Sequence, residues 1–124
     1  MIHRLFVTLL CLFIINAANA ETCEEIDTKV QKNKIIIPSY QSGRIITGSG
    51  RAYFYSAPND KCKIKDTFLV PGDLTDAGLE YGDFTYVIYF HPVSGQETSG
   101  WLKMDRVRPT GTGVGPNDNN INIP

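Results

Sequence analysis

A small all-β barrel, exported and tied by one disulfide, is the fold this sequence predicts. Three observations predict it. Residues 1–20 have the composition of an export leader, and two cysteines remain beyond it. The remainder is a succession of short β-rich runs spaced by about ten residues and divided by Gly and Pro turns.

The leader comes first. Met1-Ile2-His3-Arg4 is a basic start, Leu5 to Ile15 an almost unbroken apolar run, and Asn16-Ala17-Ala18-Asn19-Ala20 a small-x-small end. These are the three parts of a secretory signal peptide. The apolar run is shorter than the roughly 20 residues a bilayer-spanning helix needs. A lipid anchor on Cys11 does not fit, because Leu10 precedes it and Leu12-Phe13-Ile14-Ile15 follow it. Cleavage after Ala20 leaves 11 basic and 13 acidic residues, a net charge of −2. A periplasmic or secreted location is expected, with no membrane insertion after cleavage. A near-neutral chain has no electrostatic reason to seek nucleic acid or an anionic membrane.

With Cys11 removed, Cys23 and Cys62 form an even pair in an oxidising compartment, for which a disulfide is the default. The bridge is expected to pin the N-terminal segment to the β region.

Along the mature chain, Glu21 to Asn33 is charged, with Ile26 and Val30 four apart, which predicts a short amphipathic helical segment. Lys34-Ile35-Ile36-Ile37 reads as a short strand stopped by Pro38, and Arg44 to Thr47 as another between glycines. Arg51 to Tyr55 is a strand candidate that ends in the turn-forming cluster Ser56-Ala57-Pro58-Asn59-Asp60. Ile64 to Val70 is the next, closed by Pro71-Gly72-Asp73. Asp73, Asp76, Glu80 and Asp83 read as a solvated acidic loop. Asp83 to His91 is the clearest strand, because Phe, Thr, Tyr, Val, Ile and Tyr follow one another. Pro92 to Gln96 turns the chain and Gly100 to Met104 returns it. The tail, 110–124, is Gly, Asn, Thr and Pro with isolated apolar residues, and is expected to be disordered.

Residues 51–108 resemble the bacterial SH3-like domain. Four landmarks carry the resemblance: Tyr53-Phe54-Tyr55-Ser56-Ala57-Pro58, then Phe68 to Asp73, then Gly82-Asp83-Phe84-Thr85-Tyr86-Val87, then Ser99-Gly100-Trp101-Leu102. Ala57 departs from the family's usual Gly, and Asp83 is inserted before Phe84. Between the leader over 1–20 and the tail over 110–124, the resemblance implies an SH3-like barrel over 51–109, with 21–50 lying outside it as an extension packed on the barrel. It also implies that Phe54 faces the core.

Catalytic chemistry has little to stand on. His91 is the single histidine after the leader, at a strand end before Pro92, and no strained nucleophile turn or oxyanion motif accompanies it. No Cys-x-x-Cys, paired His or calcium-type loop is present, so neither metal nor cofactor is expected. The aromatic residues are the better candidates. On the strand 51–55, Tyr53 and Tyr55 share the face opposite Phe54. Tyr and Trp suit recognition surfaces because they offer large area with a polar end. Tyr53 and Tyr55 are thus the expected binding residues, with Tyr81, Phe84 and Tyr86 as the second candidate patch; Phe54, Val87 and Trp101 are expected in the core. The expected function is non-enzymatic recognition of a protein partner such as a cell-wall hydrolase, in the manner of an inhibitor or immunity protein. Peptidoglycan binding is the alternative, and a small hydrolase built on His91 the third reading.

Overall fold

The computed structural model describes residues 20–30, 32 and 34–113. Helix α1 spans Cys23–Val30. The strands are β1 Ile35–Ile36, β2 Gly43–Ile46, β3 Ala52–Tyr55, β4 Lys63–Leu69, β5 Leu74–Tyr81, β6 Phe84–Phe90, β7 Glu97–Lys103 and β8 Val107–Pro109. Single 3-10 turns occupy Ser39–Gln41, Asp60–Cys62 and Met104–Arg106. The strands join one antiparallel sheet curled into a half-barrel, in the order β4-β3-β7-β6-β5-β2-β8, with β1 also paired to β5. The expected leader, residues 1–20, lies outside the described residues apart from Ala20.

Most strands fall where β-branched and aromatic residues predict them. The exceptions are β8, where no strand was expected, and β5, read from sequence as an acidic loop. Asp76, Gly78 and Glu80 have poor β propensity, yet β5 pairs with β6 on one side and with β1 and β2 on the other. Pairing on both sides decides the conformation here, and it needs only small inward side chains, which Thr75 and Ala77 supply. The stretch 21–50, read as an extension, contributes α1, β1 and β2, and β2 lies within the sheet between β5 and β8. Beyond β8, the Thr110 N–H donates to the Gly43 carbonyl at 3.1 Å and the Gly43 N–H to the Thr112 carbonyl at 2.8 Å. Residues 114–124 of the expected tail lie outside the described residues.

Each side of the sheet carries its own apolar cluster. Inside the curl, Ile46, Ala52, Phe54, Leu69, Ala77, Val87 and Leu102 pack together. Phe54 is fully buried, and its ring lies over Gly100 of β7, where a Cβ would fall 2.9 Å from Phe54 Cδ1. That close approach is why a glycine precedes Trp101. On the outer side, the strand register sets Leu79, Tyr86, Trp101 and Tyr55 in one cross-strand row. Val30 and Ile26 of α1 join these side chains and Phe84 in the second cluster.

Helix α1 is held in several ways. Thr22 Oγ1 accepts the Glu25 N–H at 3.1 Å, an N-terminal cap, and Glu24 and Glu25 stand in the first turn, where the helix dipole favours acids. Ile26 and Val30, four apart, face the sheet. Cys23 is bonded to Cys62, with their Cα atoms 5.7 Å apart. The Trp101 indole N–H donates to Asp27 Oδ1 at 2.8 Å. An isolated helix of eight residues is marginal in water, so these attachments decide whether α1 exists.

Candidate binding cleft

The five aromatic residues expected to bind do not form one open face. Tyr55 and Phe84 are 6 % and 7 % exposed, buried with Val30 and Trp101, which corrects the expectation of an outward Tyr53–Tyr55 pair. The parity of the strand is as expected, since Tyr53 and Tyr55 lie opposite Ala52 and Phe54. What differs is that the outer face has a cover. Tyr86 is half-buried, its ring 5.4 Å from Trp101 and its hydroxyl donating to Ser99 Oγ at 3.2 Å. Tyr81 is exposed at the end of β5. Tyr53 is half-buried, edge-on to Phe68 at 5.9 Å.

Three of the five nevertheless line surface depressions that meet. The larger, about 490 Å³, lies between the β3–β4 connection, the β5–β6 turn and the 3-10 turn after β7. Phe84 and Met104 are its apolar lining, and Asp60, Asp83 and Asp105 its acidic one. The smaller, about 240 Å³, is lined by Tyr53 and Tyr55 together with Arg51, Lys63, Lys103 and Arg106. Lys103 and Asp105 belong to both and divide them. The rings of Tyr55 and Phe84, 5.2 Å apart and nearly perpendicular, carry the aromatic lining from one depression to the other.

The charges are arranged unevenly along this cleft. Lys103 Nζ pairs with Asp60 Oδ1 at 2.9 Å, and that hydrogen bond, with the nearby Tyr55, holds the ammonium pKa above its ordinary 10.5. Lys63 Nζ sits 4.5 Å from the Tyr53 ring centre, and the Arg51 guanidinium 4.3 Å from that of Phe68. Arg106 donates from Nε to the Thr47 carbonyl at 2.9 Å, and from its two terminal nitrogens to the Arg51 and Gly50 carbonyls, each at 2.8 Å. It clamps the turn before β3, where Gly48 has φ +86° and a Cβ would fall 2.8 Å from Arg106 Nε.

His91 has a local role. Its Nδ1 accepts the N–H groups of Val93 and Ser94 at 3.3 and 3.2 Å, stapling the exposed β6–β7 turn. Cys62 is tied up in the disulfide. Among the described residues no group of three or more His, Cys, Asp or Glu side chains is placed to hold a metal ion, the three aspartates of the cleft included. Nor is any helix there long and apolar enough to cross a membrane.

Sequence reasoning found the aromatic residues but missed the cations. Arg51, Lys63 and the pair Lys103 and Arg106 come from three separate segments, and the pairing of β3 with β4 and β7 brings them together. No family model matches the chain, and comparison with the curated proteins and with the solved structures gives no match.

Proposed function

We propose that this chain is an exported, non-enzymatic SH3-like protein that recognises a protein partner, such as a cell-wall hydrolase, through the cleft beside Tyr53. The observation that carries the reading is the cleft itself: aromatic lining, opposite charges at its two ends, and walls from three separate loops. Protein interfaces gain most of their energy from a few aromatic and Arg anchors set in such depressions. The disulfide and the leader fit an oxidising location. In support of the SH3-like part, the sequence landmarks fall at turns and within strands of the sheet. Ser56–Pro58 follows β3, Pro71–Asp73 separates β4 from β5, Gly82 opens the β5–β6 turn, and Gly100-Trp101 lies within β7.

The test uses the chain from Glu21 onward, immobilised and exposed to cell-envelope extract, beside sedimentation with purified peptidoglycan sacculi. The expected result is saturable capture of one protein, reproduced with that protein purified, and no co-sedimentation with sacculi. Tyr53→Ala, on the cleft wall, is expected to weaken capture by about 2 kcal/mol, roughly thirtyfold. Sedimentation with sacculi and no captured protein would overturn the reading in favour of wall binding.

A further inference from the structure

We propose that the depression bounded by Arg51, Lys63 and Arg106 is the docking site for an acidic, extended polypeptide segment. The inference rests on the protein-binding reading and names the chemistry of the partner.

The groove is positive within a chain that is net negative. Removal of the leader leaves 11 basic residues against 13 acidic ones, yet this groove is lined by four cations and one carboxylate. One of the four, Lys103, is paired with Asp60. Among the described residues the other three form no ion pair. Arg51 and Lys63 lie over the faces of Phe68 and Tyr53, and Arg106 is bound to three neutral carbonyls. Aromatic faces and carbonyls position a cation without cancelling its charge. A cleft carrying one sign of charge focuses the field on its opening and speeds the approach of the opposite charge.

The cations are also fixed in place. A guanidinium has five N–H donors, and Arg106 spends three on the turn, which leaves two unspent. Lys63 and Arg51 are exposed, but each rests on a ring, so less rotamer entropy is lost when a ligand is held than for an unsupported side chain. Diffuse polyanions need no such order, since mobile surface lysines serve them as well.

Size and shape choose the occupant. A volume of about 240 Å³ cannot take even one turn of helix, a cylinder about 10–12 Å across and about 5.4 Å long. An extended strand with one or two carboxylates fits. Lys63, which opens β4, the terminal strand of the sheet, forms part of the groove wall.

The experiment titrates the ¹⁵N-labelled chain from Glu21 onward with capped hexaglutamate, and separately with capped hexalysine and phosphatidylglycerol vesicles. Hexaglutamate is expected to shift the signals of Arg51, Tyr53 and Lys63 saturably, with binding weakened by added salt. Lys63→Glu and Arg51→Glu are each expected to cut the affinity at least about tenfold with the melting temperature unchanged. If charge reversal lowers the melting temperature, Lys63→Gln supplies the same comparison. Absence of shifts at these residues overturns the proposal, as does competition by the vesicles equal to that of hexaglutamate. If a captured partner binds the Arg51→Glu and Lys63→Glu chains at full strength, the groove inference falls and the protein-binding reading stands. If hexaglutamate binds here and no protein is captured, the acidic-segment site stands and the partner reading falls.

Discussion

The inner and outer faces of the same sheet are buried in different ways. Inside the curl, seven apolar side chains drawn from six strands meet one another, so closure comes from the sheet itself. Outside, Tyr55, Trp101, Tyr86 and Phe84 meet Ile26 and Val30 of one short helix. That cover stops partway: Phe90, farther along the same face of β6, is 42 % exposed. The inner cluster is thus shared among contacts distant in sequence, whereas the outer one depends on a single segment. Regions with few attachments open at lower free-energy cost than the whole molecule unfolds. The outer face is therefore the part of the domain whose burial is conditional, and the disulfide is what makes it dependable.

The largest effect is expected on the inner face. Phe54→Ala should cost about 3–5 kcal/mol, because it empties the site over Gly100 that no neighbour can fill. Urea unfolding followed by circular dichroism measures this. A loss below about 1 kcal/mol would mean that the curl does not close on Phe54.

Next comes the bridge. Cys23→Ser with Cys62→Ser opens a loop with a sequence separation of 39, for which the chain-entropy model gives about 4 kcal/mol. The comparison of faces adds a second expectation. In the folded double variant, Trp101 fluorescence should shift to the red and the amides of α1 should lose hydrogen-exchange protection, while those of β5 and β6 keep theirs. Uniform loss of protection across the sheet would show that the two faces form one cooperative unit.

Sequence reasoning reached the inner face better than the outer one, and the reason is physical. Alternation within a strand reveals which residues share a side. The family resemblance placed Phe54 inward, where it is fully buried, and alternation then set Tyr53 with Tyr55 on the opposite side. Alternation does not reveal what lies against that side. Two signals for the cover were present: Ile26 and Val30 at helical spacing, and Cys23 at the head of the same segment. Reading them together with Trp101, whose indole N–H needs an acceptor when buried, would have pointed to Asp27. Strand β5 was illegible for another cause, since its acidic and glycine residues carry no β signal and its pairing partners supply the conformation. The cations of the cleft were illegible because positions 51 and 63 become neighbours of 103 and 106 only through the sheet.

A smaller effect is expected at the hydrogen bond between helix and sheet. Asp27→Ala leaves the fully buried Trp101 with an unpaired indole N–H, a loss of about 1–3 kcal/mol. Asp27→Asn keeps an acceptor oxygen at the same place and should recover most of it. Thermal melts of both variants make the comparison. Equal losses for the two would mean that the side chain's charge, rather than its hydrogen bond, ties α1 down.

The smallest effect is expected at Tyr53, where the covered and open parts of the outer face meet. Tyr55, one cross-strand step from Trp101, is buried, and its replacement by Ala should cost upward of about 2 kcal/mol. Tyr53 shares that face but lies at the margin of the helix-covered cluster, touching Phe68 edge-on and carrying Lys63 on its ring. Such contacts at a partly open site are each worth about 0.5–1 kcal/mol. Tyr53→Ala should therefore still fold, with a loss of at most about 1–2 kcal/mol, and should cost less than Tyr55→Ala. A Tyr53 loss as large as that of Tyr55 would extend the cover of α1 over the cleft wall and remove Tyr53 as a recognition residue. A Tyr55 loss as small as that of Tyr53 would show instead that α1 leaves this part of the sheet open in solution.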